Sequence, residues 1–449
     1  DPDNFTYPRH NLDFSIFRVY ENGKPYQPKD FLKWTSTGLK AGDLTFVTGH
    51  PGRTSRQDTY AQMIYSRDFA IPMRLKGMER RKEALVAYAK TSPEAARQVN
   101  TQIFGIENSI KATTGYWSGL KDAAAMARIA AAEKDLRAKV EKDAKLKAST
   151  GESWSKIEKA TKVAQGMAKD SLNIGTANSS LLGYALQLVR IADEEALPSE
   201  KRLPEYSDAN LKTAKARLGV PAPYYKEQEV FLFTKGRKAL LAGGKKAVAE
   251  SQDPMIVLAK KLDPLARALR KKEKEQVQSV ISEHATRIAK ARFAAYGKNT
   301  YPDATFTLRL SYGAVAEYKA NGTLIQPFTN FGGLFDRYDG WGGNTAKAHE
   351  SAWTLPQRWV EARAALDPKV PFNFVHKVDI IGGNSGSPVI DRKGELVGLI
   401  FDGNIESLPG NYFYDEAVNR GVSVDARAIT HALDKVYGQT ALVAELTGK

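Results

Sequence analysis

Gly382-Gly383-Asn384-Ser385-Gly386-Ser387-Pro388 runs straight into Val389-Ile390, and its reading decides the fold. Glycines on both sides of a serine permit the dihedrals of a tight turn and leave no side chain in the way of an approaching carbonyl. A serine nucleophile needs a base, a carboxylate that holds the base, and backbone N–H groups aimed at an oxyanion. This run supplies the last of these, because the N–H groups of Gly383 and Ser385 can converge on one point. Pro388 and Val389-Ile390 open a buried strand behind the turn, and Lys393-Gly394 joins it to Leu396 to Phe401 as a hairpin. The bland alternative is a Gly/Ser loop. The length of the run and the hairpin after it favour a nucleophile turn.

Upstream, Asp43 to Thr48 reads as a strand ending in the turn His50-Pro51-Gly52. Asp13 to Tyr20, with Phe14, Ile16, Phe17 and Val19, reads as another strand. From about residue 65 to about 296, helix formers dominate. Leu181, Ala185, Leu188 and Ala192 recur on one helix face. Asp263-Pro264 reads as an N-cap with proline at the first helical position, opening a helix through Leu269 and Val280. Strands return from about residue 300. Thr305 to Tyr312 alternates, and glycines cluster at Gly332, Gly333, Gly340, Gly342 and Gly343. A last amphipathic helix is expected over Ala426 to Tyr437. The order is β, then a long helical insertion, then β.

The chain has 449 residues and 42% hydrophobic content, which suits two or three domains. Lys and Arg total 66 against 51 Asp and Glu, a formal net charge of +15. Glu133, Asp135, Glu141 and Asp143 interrupt the Lys-rich stretch Ala123 to Lys147. A solvated helix face explains this better than a nucleic-acid surface, and no basic patch is interleaved with aromatic residues. The absence of cysteine excludes disulfides, thiolate catalysis and Cys-based zinc sites. No apolar run reaches the length of a membrane-spanning helix. The chain opens on Asp1-Pro2-Asp3-Asn4 without Met or a signal peptide, which reads as the interior of a longer precursor.

Asp13, heading an apolar segment, stands where a base-orienting carboxylate could stand; alone an Asp there is usually a cap or turn residue, and it is the pairing with the Ser385 run that favours the carboxylate role. His10 is only three residues away, too close to lie on a different strand and face it. His50 is the best internal rival for the base, with Pro51-Gly52 arguing for a turn residue instead. His284, His349, His376 and His431 complete the set. No histidine pair has metal-ligand spacing with a carboxylate, so neither a metal nor another cofactor is expected.

Several stretches together resemble the bacterial dipeptidyl-peptidase 7 and 11 family, the dipeptidyl aminopeptidase BII-like enzymes. They are Asp3-Asn4-Phe5, Tyr7-Pro8-Arg9-His10, Asp13-Phe14-Ser15-Ile16-Phe17-Arg18, Pro51-Gly52-Arg53-Thr54, Gly382 to Val389 and Phe401-Asp402-Gly403-Asn404. The resemblance implies a chymotrypsin-like double β-barrel with a large inserted α-helical lid domain. On that pattern residues 1–65 are the end of the first barrel and the start of the second, 66–296 the insertion, and 297–449 the second barrel with its C-terminal helix. The first barrel is incomplete, and the catalytic histidine is expected upstream of this sequence, so the chain alone is expected to be inactive. Ser385 is then the nucleophile, Asp13 orients the histidine and Gly383 supplies an oxyanion N–H. Asn4, Phe5, Asp402 and the lid asparagine, matched to Asn108, hold the substrate's free α-amine. The family usually has Trp where this chain has Phe5, which keeps stacking and loses an indole N–H.

The implied activity is that of a serine dipeptidyl aminopeptidase acting on peptides with a free N-terminus. Gly403 lies on the strand that walls the pocket for the residue before the scissile bond. The family carries Arg there when it prefers acidic residues and Gly when it accepts apolar ones, so an apolar or aromatic second residue is expected. A glutamyl-endopeptidase-like endopeptidase also carries the serine run, and a non-catalytic peptide-binding fragment is the alternative from another class. Nucleic acid is not expected as a partner. Assembly as a homodimer and a periplasmic or secreted location are implied by the resemblance alone.

Overall fold

Asp391 accepts from the N–H groups of Lys393 and Glu395 and so shapes the expected hairpin turn. We describe a computed structural model covering residues 3–35, 37–175, 180–219, 234–297, 300–345 and 351–448. The strands of the main sheet are β1 (Leu44–Gly49), β2 (Arg309–Ala314), β3 (Phe328–Asn330), β4 (Pro371–His376), β5 (Pro388–Ile390), β6 (Leu396–Gly403) and β7 (Gly421–Asp425). They form one antiparallel sheet in the order β2-β1-β5-β6-β7-β4-β3. The expected strands after Asp43 and after the serine turn are therefore sheet neighbours, with Val47 opposite Val389.

The sheet curls so that the end of β2 meets the end of β4. Val315, just past β2, bridges His376 at the end of β4. Lys377 N–H donates to the carbonyl of Ala314 at 2.9 Å across the same seam. Inside the curl Val47, Val315, Phe374, Val378, Val389, Val397 and Ile400 form one buried cluster. Its polar member is His376, fully buried. Thr45 donates its hydroxyl to the carbonyl of Gly313, so it accepts from Nδ1 of His376 at 2.7 Å. Nε2 is then left to accept from the Ser423 hydroxyl at 3.0 Å. Desolvation, and secondarily Arg420, lower the His376 pKa to about 3.

The expected terminal helix runs over Ala426–Lys435, capped by Asp425. It buries Ala428, Ile429, Ala432 and Leu433 against Phe331, Phe335, Trp359 and Phe372 on the outside of the sheet.

Asp13 to Tyr20 is a correction to the sequence reading. Within it only Tyr20 is in a strand, a two-residue ribbon pairing Tyr20–Glu21 with Lys24–Pro25. Phe17 is 86% and Val19 65% exposed. Alternation records which residues a strand could bury, but a strand also needs a ladder partner; Val19 accepts from Tyr26 N–H at 2.8 Å, and none lies beside Asp13 to Arg18 among the described residues.

Contacts divide the chain into two compact units, Asp1–Asp135 with Lys298–Lys449, and Leu136–Gly297. The first unit therefore contains helices as well as the sheet. They include α1 (Ile71–Ala89) and α2 (Pro93–Lys121), with Ser92 capping α2 through the N–H of Ala95. Leu75 and Leu120 share a buried cluster with Met63, Met126 and Tyr412, which ties α2 to the loop after β6.

The second unit is helical. The expected face on α3 (Ser180–Glu195) is buried at Ala185, Leu188 and Ala192 against Leu211, Leu218, Leu240 and Ile256. The expected helix start at Asp263-Pro264 is corrected. α4 runs over Pro254–Glu273, and the same Asp-Pro signal at Asp253-Pro254 caps it. Pro264 sits inside that helix, and buried Asp263 pairs with Arg190 at 2.5 Å and Arg267 at 2.6 Å. No described helix is long and apolar enough to cross a membrane.

His376 gives a pH signature. Its folded pKa lies below the unfolded value, so its stabilisation is complete above pH 6.5 and is lost as pH falls toward 3. His376→Gln should flatten the fall in unfolding free energy between pH 6 and 4, by up to about 1.4 kcal/mol per pH unit relative to the parent. Denaturant titrations at several pH values test this. Parallel parent and variant profiles would contradict a neutral buried imidazole.

Candidate active site

The serine run folds as a turn held by Asn384. Its Oδ1 accepts from Ile381 N–H, and its own N–H donates to the carbonyl of Ile381, both at 3.1 Å. Gly386 N–H donates to Ile400 at 2.7 Å and docks the turn on β6. Gly383 has φ +112°, and a Cβ there would meet the carbonyl of His50 at 2.3 Å. The position therefore requires glycine for both its dihedral and its close approach. Ser385 is exposed at the apex, its Oγ donating to the carbonyl of Phe401 at 3.3 Å. The N–H groups of Gly383 and Ser385 have no acceptor among the described residues.

Ser385 lies in a cleft of about 320 Å³ whose lining also includes Asn4, Phe5, Asp13, Asn108, Asp402 and Gly403. Every site residue singled out from the sequence is therefore in or beside one cavity. Asn11 positions the Asp13 segment by exchanging hydrogen bonds with the side chain of Asn373, at 2.7 and 2.8 Å. The Asp13 carboxylate has no partner among the described residues.

Among the described residues no histidine lines this cleft. His50 is exposed and packs on Phe306, contributing only its carbonyl behind the turn. His10 is largely buried beside Phe372, and burial with the Arg337 charge lowers its pKa to about 3. His376 is inside the sheet, His431 accepts from Asp367 N–H, and His284 bonds Ser153 in the helical unit. His349 lies outside the described residues.

The opposite end of the cleft is acidic. Oδ2 of Asp402 accepts from Phe5 N–H and from Arg9, each at 2.9 Å, and Oδ1 accepts from Gly403 N–H at 2.9 Å. Burial raises the Asp402 pKa, while the Phe5 N–H and the Arg9 charge pull the other way. Asn4 donates to Oδ1 of Asn108 at 2.8 Å beside it.

Sequence reading quoted Arg9 within a motif without giving it a role. Arg9 is 2% exposed, pairs with Asp402, donates to the carbonyl of Asp3 and lies over the ring of Phe401. The partner that explains it is 393 residues away, and no local pattern announces that pairing. Tyr116, Ser407 and Leu408 also line the cleft without having been singled out.

A glycine-flanked serine turn with two unengaged N–H groups and a carboxylate in the same cleft has the parts of a serine-peptidase site apart from its base. The chain belongs to the peptidase S46 family, whose model matches residues 1–235 and 228–448. It is 27% identical to an Asp/Glu-specific dipeptidyl-peptidase of Shewanella putrefaciens, covering 99% of this chain and 72% of that relative. It is also 27% identical to dipeptidyl-peptidase 7 of Porphyromonas gingivalis, covering 98% and 69%. Crystal structures of Porphyromonas endodontalis DPP11 with the dipeptides Arg-Asp and Arg-Glu share the fold. Their TM-scores are 0.74 and 0.73 at 21% identity, over 99% of this chain and 72% of theirs.

A fluorophosphonate should modify the active enzyme at Ser385 and leave Ser385→Ala unmodified. The unfolding midpoints should agree within about 2 °C, because only an exposed hydroxyl is removed. Intact-mass spectrometry with thermal melts checks both points, and equal labelling of the variant would place the nucleophile elsewhere.

Proposed function

We propose that this chain carries the nucleophile and the substrate clamp of a dipeptidyl aminopeptidase that removes dipeptides from peptides with a free N-terminus. The observation that carries this reading is the largely buried Asp402 carboxylate at one end of a short cleft whose other end holds Ser385. The names of both relatives above support it. A substrate ammonium at Asp402, assisted by the amides of Asn4 and Asn108, measures two residues back from the serine. Charge-assisted hydrogen bonds of this kind are the strong ones. Ser385 Oγ attacks the carbonyl of the second residue, and the N–H groups of Gly383 and Ser385 take up the oxyanion. The serine's proton passes to an imidazole and then to the leaving amine, and water releases the dipeptide from the acyl-enzyme.

In this reading Asp13 orients that imidazole, and the imidazole comes from outside the described residues. The curled sheet is then the second of two barrels in a chymotrypsin-like fold. The exposed Phe17, Val19, Tyr20 and Phe31 belong to the face that the first barrel covers. A homodimer in the periplasm is part of the same proposal and rests on the family resemblance.

The cleft supports an apolar or aromatic second residue. Its wall includes Ile380, Ile381, Phe401, Leu408 and Tyr116. Arg9 is the cation in the lining, and it is engaged by Asp402. Arg56, a second candidate partner for an acidic side chain, is committed to Asp379 at 2.5 and 2.8 Å and to the carbonyl of Gly410. A carboxylate entering here would lose its hydration without gaining a partner, while an apolar side chain gains about 25 cal/mol per Å² buried. Gly403 leaves the wall open; a Cβ there would meet the rotatable Ser407 hydroxyl at 2.5 Å.

Dipeptide reporters that differ only at the second residue test the reading. kcat/KM for Phe or Leu should exceed that for Asp or Glu by at least about tenfold, the scale of one unmet charge. Gly403→Arg should invert the order by offering a fork for the carboxylate. A parent enzyme that favours Asp would show that another residue governs the pocket.

A further inference from the structure

Asn4 and Asn108 belong to two cavities at once. On one side they close the cleft that holds Ser385 and Asp402. On the other they border a broader groove of about 670 Å³, and they are the residues common to both linings. A hydrogen bond from Asn4 Nδ2 to Asn108 Oδ1, 2.8 Å long, spans the boundary. It joins an irregular segment to the middle of α2, and a neutral bond of this type contributes little net free energy.

The groove continues along α2. Past Asn108 the same helix lines it with Lys111, Thr114, Gly115 and Ser118, positions that fall within successive turns. Lys82 of α1 and Glu107 face each other in it at 2.7 Å, and Ile405 adds apolar surface from the loop after β6. Ile110 and Ile405, the Thr114 and Ser118 side chains and the Lys82–Glu107 pair give the groove the mixed lining that suits an extended peptide unit.

We propose that this groove is a further peptide subsite, for the residue that would precede the dipeptide, held shut by the Asn4–Asn108 bond. The inference rests on the dipeptidyl-peptidase reading and extends it. The two-residue limit comes from a removable bridge and the charge preference of Asp402, not from a solid wall. A tripeptide must break the bridge and present a neutral amide N–H to Asp402, and it gains the groove in return. Asn108→Ala removes the bridge while keeping a strong helix former in α2.

Calorimetric titration with Val-Phe and Ala-Val-Phe tests the subsite without requiring turnover. The parent should bind the tripeptide about 100-fold more weakly than the dipeptide, the scale of a lost charge-assisted bond. Asn108→Ala should reduce that gap to about tenfold or less, through both weaker dipeptide and tighter tripeptide binding. Adding Thr114→Trp to Asn108→Ala fills the groove and should restore the gap. If Asn108→Ala weakens the dipeptide and gives no gain on the tripeptide, or if Thr114→Trp leaves the gain intact, the subsite is refuted while the dipeptidyl reading stands. A parent that binds both peptides alike, or neither, overturns the dipeptidyl reading and the subsite with it.

Discussion

Burying a carboxylate demands donors, and Asp402 gathers them from three places. Phe5 N–H, Arg9 and Gly403 N–H all converge on it. These bonds fasten the segment carrying Asn4 and Arg9 to β6, and Asn11 continues the attachment through Asn373 on β4. The consequence for chemistry is one of register. Phe401, adjacent to Asp402, accepts from Ser385 Oγ, so the positions of Ser385 and Asp402 are set by consecutive residues of one strand. A shift of that strand would move both ends of the cleft together. Arg9 is the member whose removal would leave the carboxylate most exposed to the penalty of burial, since it supplies a full opposite charge where the other donors supply dipoles.

The same electrostatics separates this cleft from its neighbours. Arg9 and Asp402 offset each other. Asp379, six residues before Ser385, is matched by Arg56 and receives the Tyr301 hydroxyl at 2.6 Å, so it presents no spare charge to the cleft. Burial pushes Asp58 up to about 6, with Asp303 adding to the effect. These acidic groups lie in the wall behind the nucleophile turn. Their charge is absorbed by Arg56 and by backbone donors to Asp303.

The nucleophile turn was legible because its demands are local. Glycine at position 383 answers a positive φ and a close carbonyl, and the hairpin from Pro388 onward follows from alternation and one turn. Partners at a distance were not legible. Asp13 to Tyr20 carries a strand's pattern, but pattern does not supply a neighbour, and the segment stays largely exposed. Asp263-Pro264 carries a helix-start signal that Asp253-Pro254 carries equally well. Only Arg190, 73 residues away, shows why the former is buried as an ion pair inside the helix. Arg9 belongs with these, since its meaning lies in Asp402. The resemblance reached Asn4, Asn108 and Asp402 because it matches motifs rather than geometry, and the structure brings all three to one cleft.

The central claim is that Asp402 recognises a free ammonium and so fixes the cut two residues from the N-terminus. Two peptides of identical sequence, one with a free N-terminus and one acetylated, should be incubated with the active enzyme and the products weighed by mass spectrometry. The account predicts dipeptides from the free peptide alone, with release suppressed at least about tenfold in Asp402→Ala. Cleavage of the acetylated peptide at a comparable rate, indifferent to Asp402→Ala, would contradict it and point to an endopeptidase.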